Sequence, residues 1–437
     1  MNSILNFIKT EKFKKYFWNT NWIFLSKLIR SAANFIIGIF IARYLGPAQY
    51  GVLAYAISFV ALFSALSTLG LDQIIVKELV NEPDQKDYLL GSGFVLRSIG
   101  SLIQILLVIL ISRHIESNAI TWLIICVISL GVLFDSFQVI DLYFQAQVKT
   151  KFNALVSIYA LIFSSAIKIT LLCIQAPLIW FAATISIEKF LFAFFYIIFY
   201  QKNSTSILLW NGGFKYSKYL LSASWPLVLS GLAIMIYMRI DQVMIKNMLS
   251  SADLGLYSVA VSISETLYII PIVITASLFP SLVNSKKADT SLYYRRLSQL
   301  FQLLIFISFI IAISLTFLSP FIKFIWGHPY SFSSYILNVH IWSFILVAIG
   351  VIISYILINE NLQIYSLYTT ILGALVNVFL NLWLIRDYGT IGAAVATVIA
   401  YASATIFLAL FPKTRFIIRI LYNTFLFKKM EAICIKT

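Results

Sequence analysis

The sequence has 437 residues, of which 61% are hydrophobic and only 11% charged, with a mean hydropathy of +0.92. Soluble domains run at roughly 45–50% apolar and 25% charged, so the surplus Ile, Leu, Phe and Val must face lipid, which excludes an ordinary soluble enzyme. The net charge of +15 does not imply nucleic acid here, because basic residues gather on the cytoplasmic side of membrane proteins, where they set topology and meet anionic lipid. Cys126, Cys173 and Cys434 suggest neither a disulfide framework nor a metal site.

A crossing helix needs about 20 apolar residues. Runs of that length predict an all-α polytopic membrane protein with twelve crossings, over residues 22–42, 52–69, 93–112, 120–141, 153–172, 177–200, 218–238, 254–280, 299–326, 335–358, 364–385 and 389–411. Lys9, Lys12, Lys14 and Lys15 precede the first run. That run is too long for a secretory signal and lacks a small-residue cleavage site, so it is expected to stay as the first crossing. Basic residues in the connections and at the span edges number 21 on one face and 6 on the other. Both termini are therefore expected in the cytoplasm, with Lys286, Lys287, Arg295 and Arg296 in one inner loop and Arg415, Arg419, Lys428 and Lys429 in the inner tail. The expected organisation is a tail (1–21), a six-helix bundle (22–200), a cytoplasmic linker (201–217), a second six-helix bundle (218–411) and a basic tail (412–437).

Twelve spans invite a search for two halves. At an offset of 204, Ile41 to Ala56 (IARYLGPAQYGVLAYA) overlies Ile245 to Ala260 (IKNMLSSADLGLYSVA) with five identities in sixteen positions. Each segment joins the first span of a half to its second, on the same expected face. A duplication with parallel halves follows, against the alternative of chance matching between apolar sequences. The polar, Gly-containing stretch Lys202 to Lys215 is the natural connection between halves.

An ionisable side chain deep in a bilayer costs roughly 2.5–3.5 kcal/mol on insertion scales and normally faces a cavity or a partner. Lys27 and Arg30 share one helix face, about 8 and 12 Å inside the inner boundary. Arg30 is too deep to reach headgroups easily and is read as cavity-facing. Arg97 lies close enough to the inner edge for snorkelling to compete with function, and Lys168, near an outer end, reads as an interfacial anchor. Glu188 and Glu265 lie near mid-depth, and either proton exchange during transport or static pairing, for instance of Glu188 with Arg30 or Arg97, would explain them. Asp135 is a third acidic candidate. Lys189 sits about 100° around the helix from Glu188 and need not share its cavity. Arg239 and Asp241 form either an interface pair or a release-side contact. Asn377 and Asn381, at i and i+4, present two amides that bind either sugar or a neighbouring helix. No metal spacing, phosphate-cradling glycine loop or activated nucleophile is visible, so neither a cofactor nor ATP hydrolysis is expected.

The stretch Trp22 to Leu79 resembles the start of polysaccharide repeat-unit flippases, the O-antigen type translocases of the multidrug/oligosaccharidyl-lipid/polysaccharide exporter superfamily. The match rests on Lys27 with Arg30, on ARYLGPAQYG (Ala42 to Gly51), on LGLDQIIVKEL (Leu69 to Leu79), and on MRIDQVMI (Met238 to Ile245) as a seventh span. The resemblance implies two six-helix bundles forming a V around a cationic central cavity. It further implies movement of an undecaprenyl-diphosphate-linked oligosaccharide, as in lipopolysaccharide synthesis, across a bacterial inner membrane, driven by a proton or sodium gradient. Lys27, Arg30, Arg97 and Arg239 would meet the diphosphate or an acidic sugar, while glycan polymerase and chain-length proteins would be partners. Family members often carry an acid just before the basic pair, where this chain has Ser26, so coupling through an acid at that spot is not expected here.

Physical chemistry leads the same way, because a diphosphate cannot cross hydrocarbon unescorted and guanidinium groups fit phosphate oxygens in bidentate fashion. The rivals are a multidrug or small-cation antiporter of the same fold, which calls for a more acidic or apolar cavity, and a membrane-embedded polymerase or transferase, which calls for a catalytic constellation and a large exterior loop. A purely structural scaffold leaves the deep charges unexplained.

Overall fold

A computed structural model describes residues 11–288 and 290–425, and over these the chain is helical with no strand. Lys9, Lys428, Lys429 and Cys434 lie outside the described residues, as do the side chains of Lys12, Lys14, Lys15, Lys286 and Lys287. Among the described residues, ten helices are long and apolar enough to cross a membrane. The chain is an all-α polytopic membrane protein.

Helix α1 (Glu11–Leu62) contains the first two apolar runs, separated at Gly46, whose φ of 69° breaks helical geometry just before Pro47. The break is expected physically: proline drives its preceding residue out of the right-handed helical region, and glycine enters the left-handed one at little cost. There follow α2 (Asp72–Asn81), α3 (Lys86–Ile115), α4 (Ala119–Leu130), a 3-10 stretch over Gly131–Gln138, α5 (Val139–Ala146), α6 (Thr150–Cys173), α7 (Leu178–Asn203) and α8 (Phe214–Met248). The remainder is α9 (Ser251–Leu267), α10 (Ile269–Ala288), α11 (Thr290–Leu318), α12 (Ser333–His340), α13 (Ser343–Asn359), α14 (Gln363–Ile406) and α15 (Arg415–Phe425). Helix α14 repeats the device of α1, with a break at Gly389, where φ is 59°.

The chain forms two compact units, one from residues up to 44 together with 56–235, the other from 45–55 together with residues from 236 onward. The first packs around Leu71, Ile75, Val139, Ile140, Phe144 and Tyr200, drawn from α2, α5, α7 and the turn before α2. Its expected inter-half linker is fastened down. Ser204 donates to the Tyr143 hydroxyl at 3.0 Å, Trp210 Nε1 to the Tyr200 hydroxyl at 3.1 Å, and the Asn211 amide to the Asp87 carbonyl at 3.2 Å. Gly91 permits this, because a Cβ there would overlap the Asn211 backbone. The polarity that marks the stretch as a connection in the sequence is spent on these bonds.

The second unit packs around Tyr293, Leu297, Phe301, Ile352, Ile356, Ile417 and Ile420, so α15 closes onto α11 and α13. It also contains the two segments matched at an offset of 204. A Cβ on Gly51 would overlap the carbonyl of Ser251, and a Cβ on Gly255 would overlap the carbonyl of Pro47. Since Pro47 and Ser251 are themselves matched positions, the contact is reciprocal.

Local capping is conventional at α4, where the Asn118 side chain accepts from the amides of Ile120 at 2.9 Å and Thr121 at 3.2 Å. Asn118→Ala is expected to cost about 1 kcal/mol, measured by thermal unfolding in detergent, whereas Asn118→Asp should be nearly neutral.

Candidate functional site

The site begins with an irregularity in the fourth apolar run. A 3-10 helix has three residues per turn, so side chains at i and i+3 eclipse one another, and runs longer than about four residues are uncommon. Here it lasts eight residues, Gly131–Gln138, before α-helical geometry resumes at Val139. Gly131 lets α7 approach, since a Cβ would overlap Ser186, whose hydroxyl donates to the Val127 carbonyl at 2.6 Å. The 3-10 geometry aligns Asp135 with Gln138, joined by a 3.0 Å hydrogen bond from Gln138 Nε2. The following helix adds Asp141 and Gln145, joined at 2.9 Å. One polar edge therefore runs along this crossing, from Asp135 to Gln145.

That edge, with α1, α6 and α7, encloses a cavity of about 540 Å³ inside the first unit. Lys27 and Arg30 reach it from α1, Asn153 and Ser157 from α6, and Glu188, Lys189, Phe192 and Tyr196 from α7. A second cavity of about 380 Å³ shares Gln138, Asp141 and Gln145 and is otherwise lined by Asp72, Gln73, Val76, Lys77, Arg97 and Leu142.

The charges inside are interleaved. Arg30 donates to Glu188 Oε1 at 3.2 Å and lies 4.5 Å from the centre of the Phe192 ring. Lys168 binds the other oxygen, Glu188 Oε2, at 2.8 Å. Lys189 pairs with Asp135 at 2.5 Å. Arg97, with its side chain only 2% exposed, pairs with Asp72, donates to the Asp135 carbonyl at 3.5 Å and leaves its Nε without a partner. Lys27 has no ion pair among the described residues.

Two expectations are corrected. Lys168, read as an interfacial anchor, turns to Glu188 instead, because a buried carboxylate with one cationic partner still has an oxygen to satisfy. Lys189 does enter the cavity beside Glu188, because the cavity spans a wide stripe of α7, from Ile185 through Glu188, Lys189, Phe192 and Tyr196. Of the expected site residues, Lys27, Arg30, Asp135 and Glu188 line the larger cavity and Arg97 the smaller.

Arg239, Glu265, Asn377 and Asn381 belong to the second unit. Arg239 pairs with Glu265 at 3.1 Å. Asn381 donates to Asn377 Oδ1 at 2.9 Å, both residues being buried, with Asn377 Nδ2 and Asn381 Oδ1 left unpartnered. Asp241, read beside Arg239 in the sequence, is buried and accepts from the Tyr257 hydroxyl at 2.5 Å and from the Gln242 amide at 2.7 Å. Sequence reasoning passed over Gln138, Gln145, Asn153 and Ser157. Their only signal is polar side chains at helical spacing, Gln138 and Gln145 flanking Asp141 in one crossing and Asn153 with Ser157 in the next.

A family model described as "Polysaccharide biosynthesis protein" matches residues 17–286. The chain belongs to this family. No curated protein matches it in sequence. Among solved structures it is similar to the lipid II flippase MurJ in an inward closed conformation, with TM-score 0.72 and 18% identity over 92% of this chain and 91% of that one. It is also similar to an inward-facing multidrug resistance MATE family transporter of the MOP superfamily, with TM-score 0.67 and 14% identity over 90% and 96% of the two chains. A third is a MOP superfamily transporter from Pyrococcus furiosus, described for the reverse polarity of its binding pocket, with TM-score 0.56 and 14% identity over 94% and 96%. At these identities the likeness concerns the fold, which is that of transporters solved in both inward-facing and outward-facing conformations.

Proposed function

We propose that the protein is a flippase that carries an undecaprenyl-diphosphate-linked oligosaccharide repeat unit from the inner to the outer leaflet of a bacterial plasma membrane. The observation that supports this best is the pair Lys27 and Arg30, set on an apolar crossing helix and lining a 540 Å³ cavity. An anionic head entering there meets Lys27 directly. It can also take Arg30 from Glu188 without stranding that carboxylate, because Lys168 holds its other oxygen. The polyprenyl tail needs no site and stays in lipid.

On this reading the helices broken at Gly46 and Gly389 each supply two crossings, which makes twelve in two six-helix halves, with both termini cytoplasmic. The halves alternate access to the two sides. Arg97, lining the smaller cavity that shares Gln138, Asp141 and Gln145 with the larger, adds its charge to the path of the diphosphate toward Lys27 and Arg30, and Arg239, Asn377 and Asn381 contact cargo from the second half. Glu188, Glu265 and Asp135 are the acids available to couple a proton or sodium ion, since each is held by a cation that the cargo can compete for. The exported unit then passes to polymerase and chain-length proteins that build O-antigen.

The test is deletion of the gene. Lipid-linked repeat units should accumulate on the inner leaflet and surface glycan should disappear, and the wild-type gene should reverse both. Polymerisation-ready units accumulating on the outer leaflet would transfer the assignment to the polymerase reading, and unchanged glycan intermediates would favour a drug antiporter.

A further inference from the structure

The flippase reading leaves open what the glycan contacts and what kind of glycan fits. The larger cavity is lined by Lys27, Arg30 and Lys189 and by Asp135, Asp141 and Glu188, equal numbers of cations and carboxylates. Two of those cations are engaged, Arg30 by Glu188 and Lys189 by Asp135, which leaves Lys27 as the cation with no ion pair among the described residues. The diphosphate of the cargo takes up that capacity. An additional carboxylate or phosphate on a sugar would have to break a second internal pair and would stand beside the acids so released, a like-charge contact in a confined space.

Part of the same lining has a different chemistry. Gln138, Asp141 and Gln145 form one polar edge facing both cavities, and Asn153 stands beside it. Asn153, 8% exposed, donates to the Asp141 carbonyl at 3.2 Å, and its Oδ1 is buried behind the cavity lining with no partner. A buried acceptor left open is costly until something donates to it, and a turn of the Asn153 amide toward the cavity would bring it to a donor there. The Asp141 carboxylate accepts from Gln145 at 2.9 Å but has lone pairs for further donors, and sugar rings present hydroxyls in rows.

Resting on the flippase reading, we infer that Gln138, Asp141, Gln145 and Asn153 form a saccharide subsite, and that the cargo's glycan is uncharged, offering hydroxyl donors to this wall while Lys27 and Arg30 hold the diphosphate. The subsite is a selectivity device: it admits neutral repeat units and rejects those with acidic sugars near the diphosphate.

The experiment uses the full-length protein in lipid nanodiscs and three probes. These are undecaprenyl diphosphate alone, the same lipid bearing a neutral trisaccharide, and the same trisaccharide with one hexose replaced by a hexuronic acid. The neutral glycolipid should bind about tenfold more tightly than the bare lipid, the gain that one or two added hydrogen bonds give, and the uronate-bearing one no more tightly than the bare lipid. In Gln145→Ala, at an exposed position, and in Asn153→Ala, the ratio of neutral to bare affinity should fall to near one. Equal or tighter binding of the uronate-bearing lipid overturns the inference. So does a variant that weakens all three probes in the same proportion, since that marks a purely structural role. Failure of the wild type to bind any of the three overturns the flippase reading itself, a result distinct from bare-lipid binding that the glycan does not improve.

Discussion

Arg30→Ala is expected to stop glycan export while the protein accumulates in the membrane at its normal level. Arg30 is itself 41% exposed and Glu188 12%, so the charge that its removal could strand is the carboxylate, and stranding a buried charge costs up to about 3–5 kcal/mol. Here it is not stranded, since Glu188 keeps Lys168 at 2.8 Å. What disappears is the planar donor that would grip the diphosphate, and charge-assisted hydrogen bonds of that kind are worth about 1.5–3 kcal/mol, or roughly 10- to 100-fold in affinity. Arg30→Lys should restore only part of the loss, because an ammonium on a flexible stem cannot reproduce a bidentate fork or the stacking on Phe192.

Glu188→Gln should move affinity in the opposite direction. It releases Arg30 and Lys168 together, so the cavity gains a net positive charge and holds the diphosphate lipid more tightly, while turnover falls because nothing competes the cargo off. Binding of undecaprenyl diphosphate to the purified variants and export measured in complemented cells separate the two effects. If Arg30→Ala and Glu188→Gln both weaken binding to the same degree, the pair is a structural brace and the exchange of carboxylate for phosphate is wrong.

These charges were legible in the sequence because depth along a helix follows from counting residues, and a charge too deep to snorkel must face something polar. Lys27, Arg30, Glu188 and Asp135 were found in this way. Azimuth was the harder quantity. The distance of Lys168 from a span end says nothing about which neighbour its long side chain meets, and the 100° that separates Lys189 from Glu188 matters only in a narrow cavity. Gln138 and Asn153 are not legible in the sequence because a lone amide in an apolar run bonds a neighbouring helix as readily as it faces a cavity, and because the 3-10 stretch that brings Gln138 into line with Asp135 has no distinct composition. The break at Gly46 was readable from the Gly-Pro pair between two apolar runs. The break at Gly389 fell between two runs that nearly touch, where the local sequence carries no proline.

The weak internal match at an offset of 204 yields the second large prediction, because it concerns a contact rather than a similarity. Gly51→Ala and Gly255→Ala should each destabilise the protein by about 3 kcal/mol, seen as a lower unfolding temperature in detergent, with export lost in cells. The new methyl groups meet backbone carbonyls, of Ser251 in one case and Pro47 in the other. A side chain can rotate away from such an overlap. Backbone cannot, so the two segments must separate, which places the cost at the upper end of the 1–3 kcal/mol typical of overpacking. Glycine in an open helical position behaves otherwise: Gly38 has nothing near its missing Cβ, and Gly38→Ala should be neutral or stabilising by about 0.5–1 kcal/mol through helix propensity. Because each glycine faces the counterpart of the other's partner, the two alanine variants should match in sign and size. The double variant should cost less than the sum, since the first substitution already opens the crossing that the second would strain. Tolerance of alanine at one glycine and intolerance at the other would mean that the segments do not meet symmetrically, and the duplication would lose its structural support.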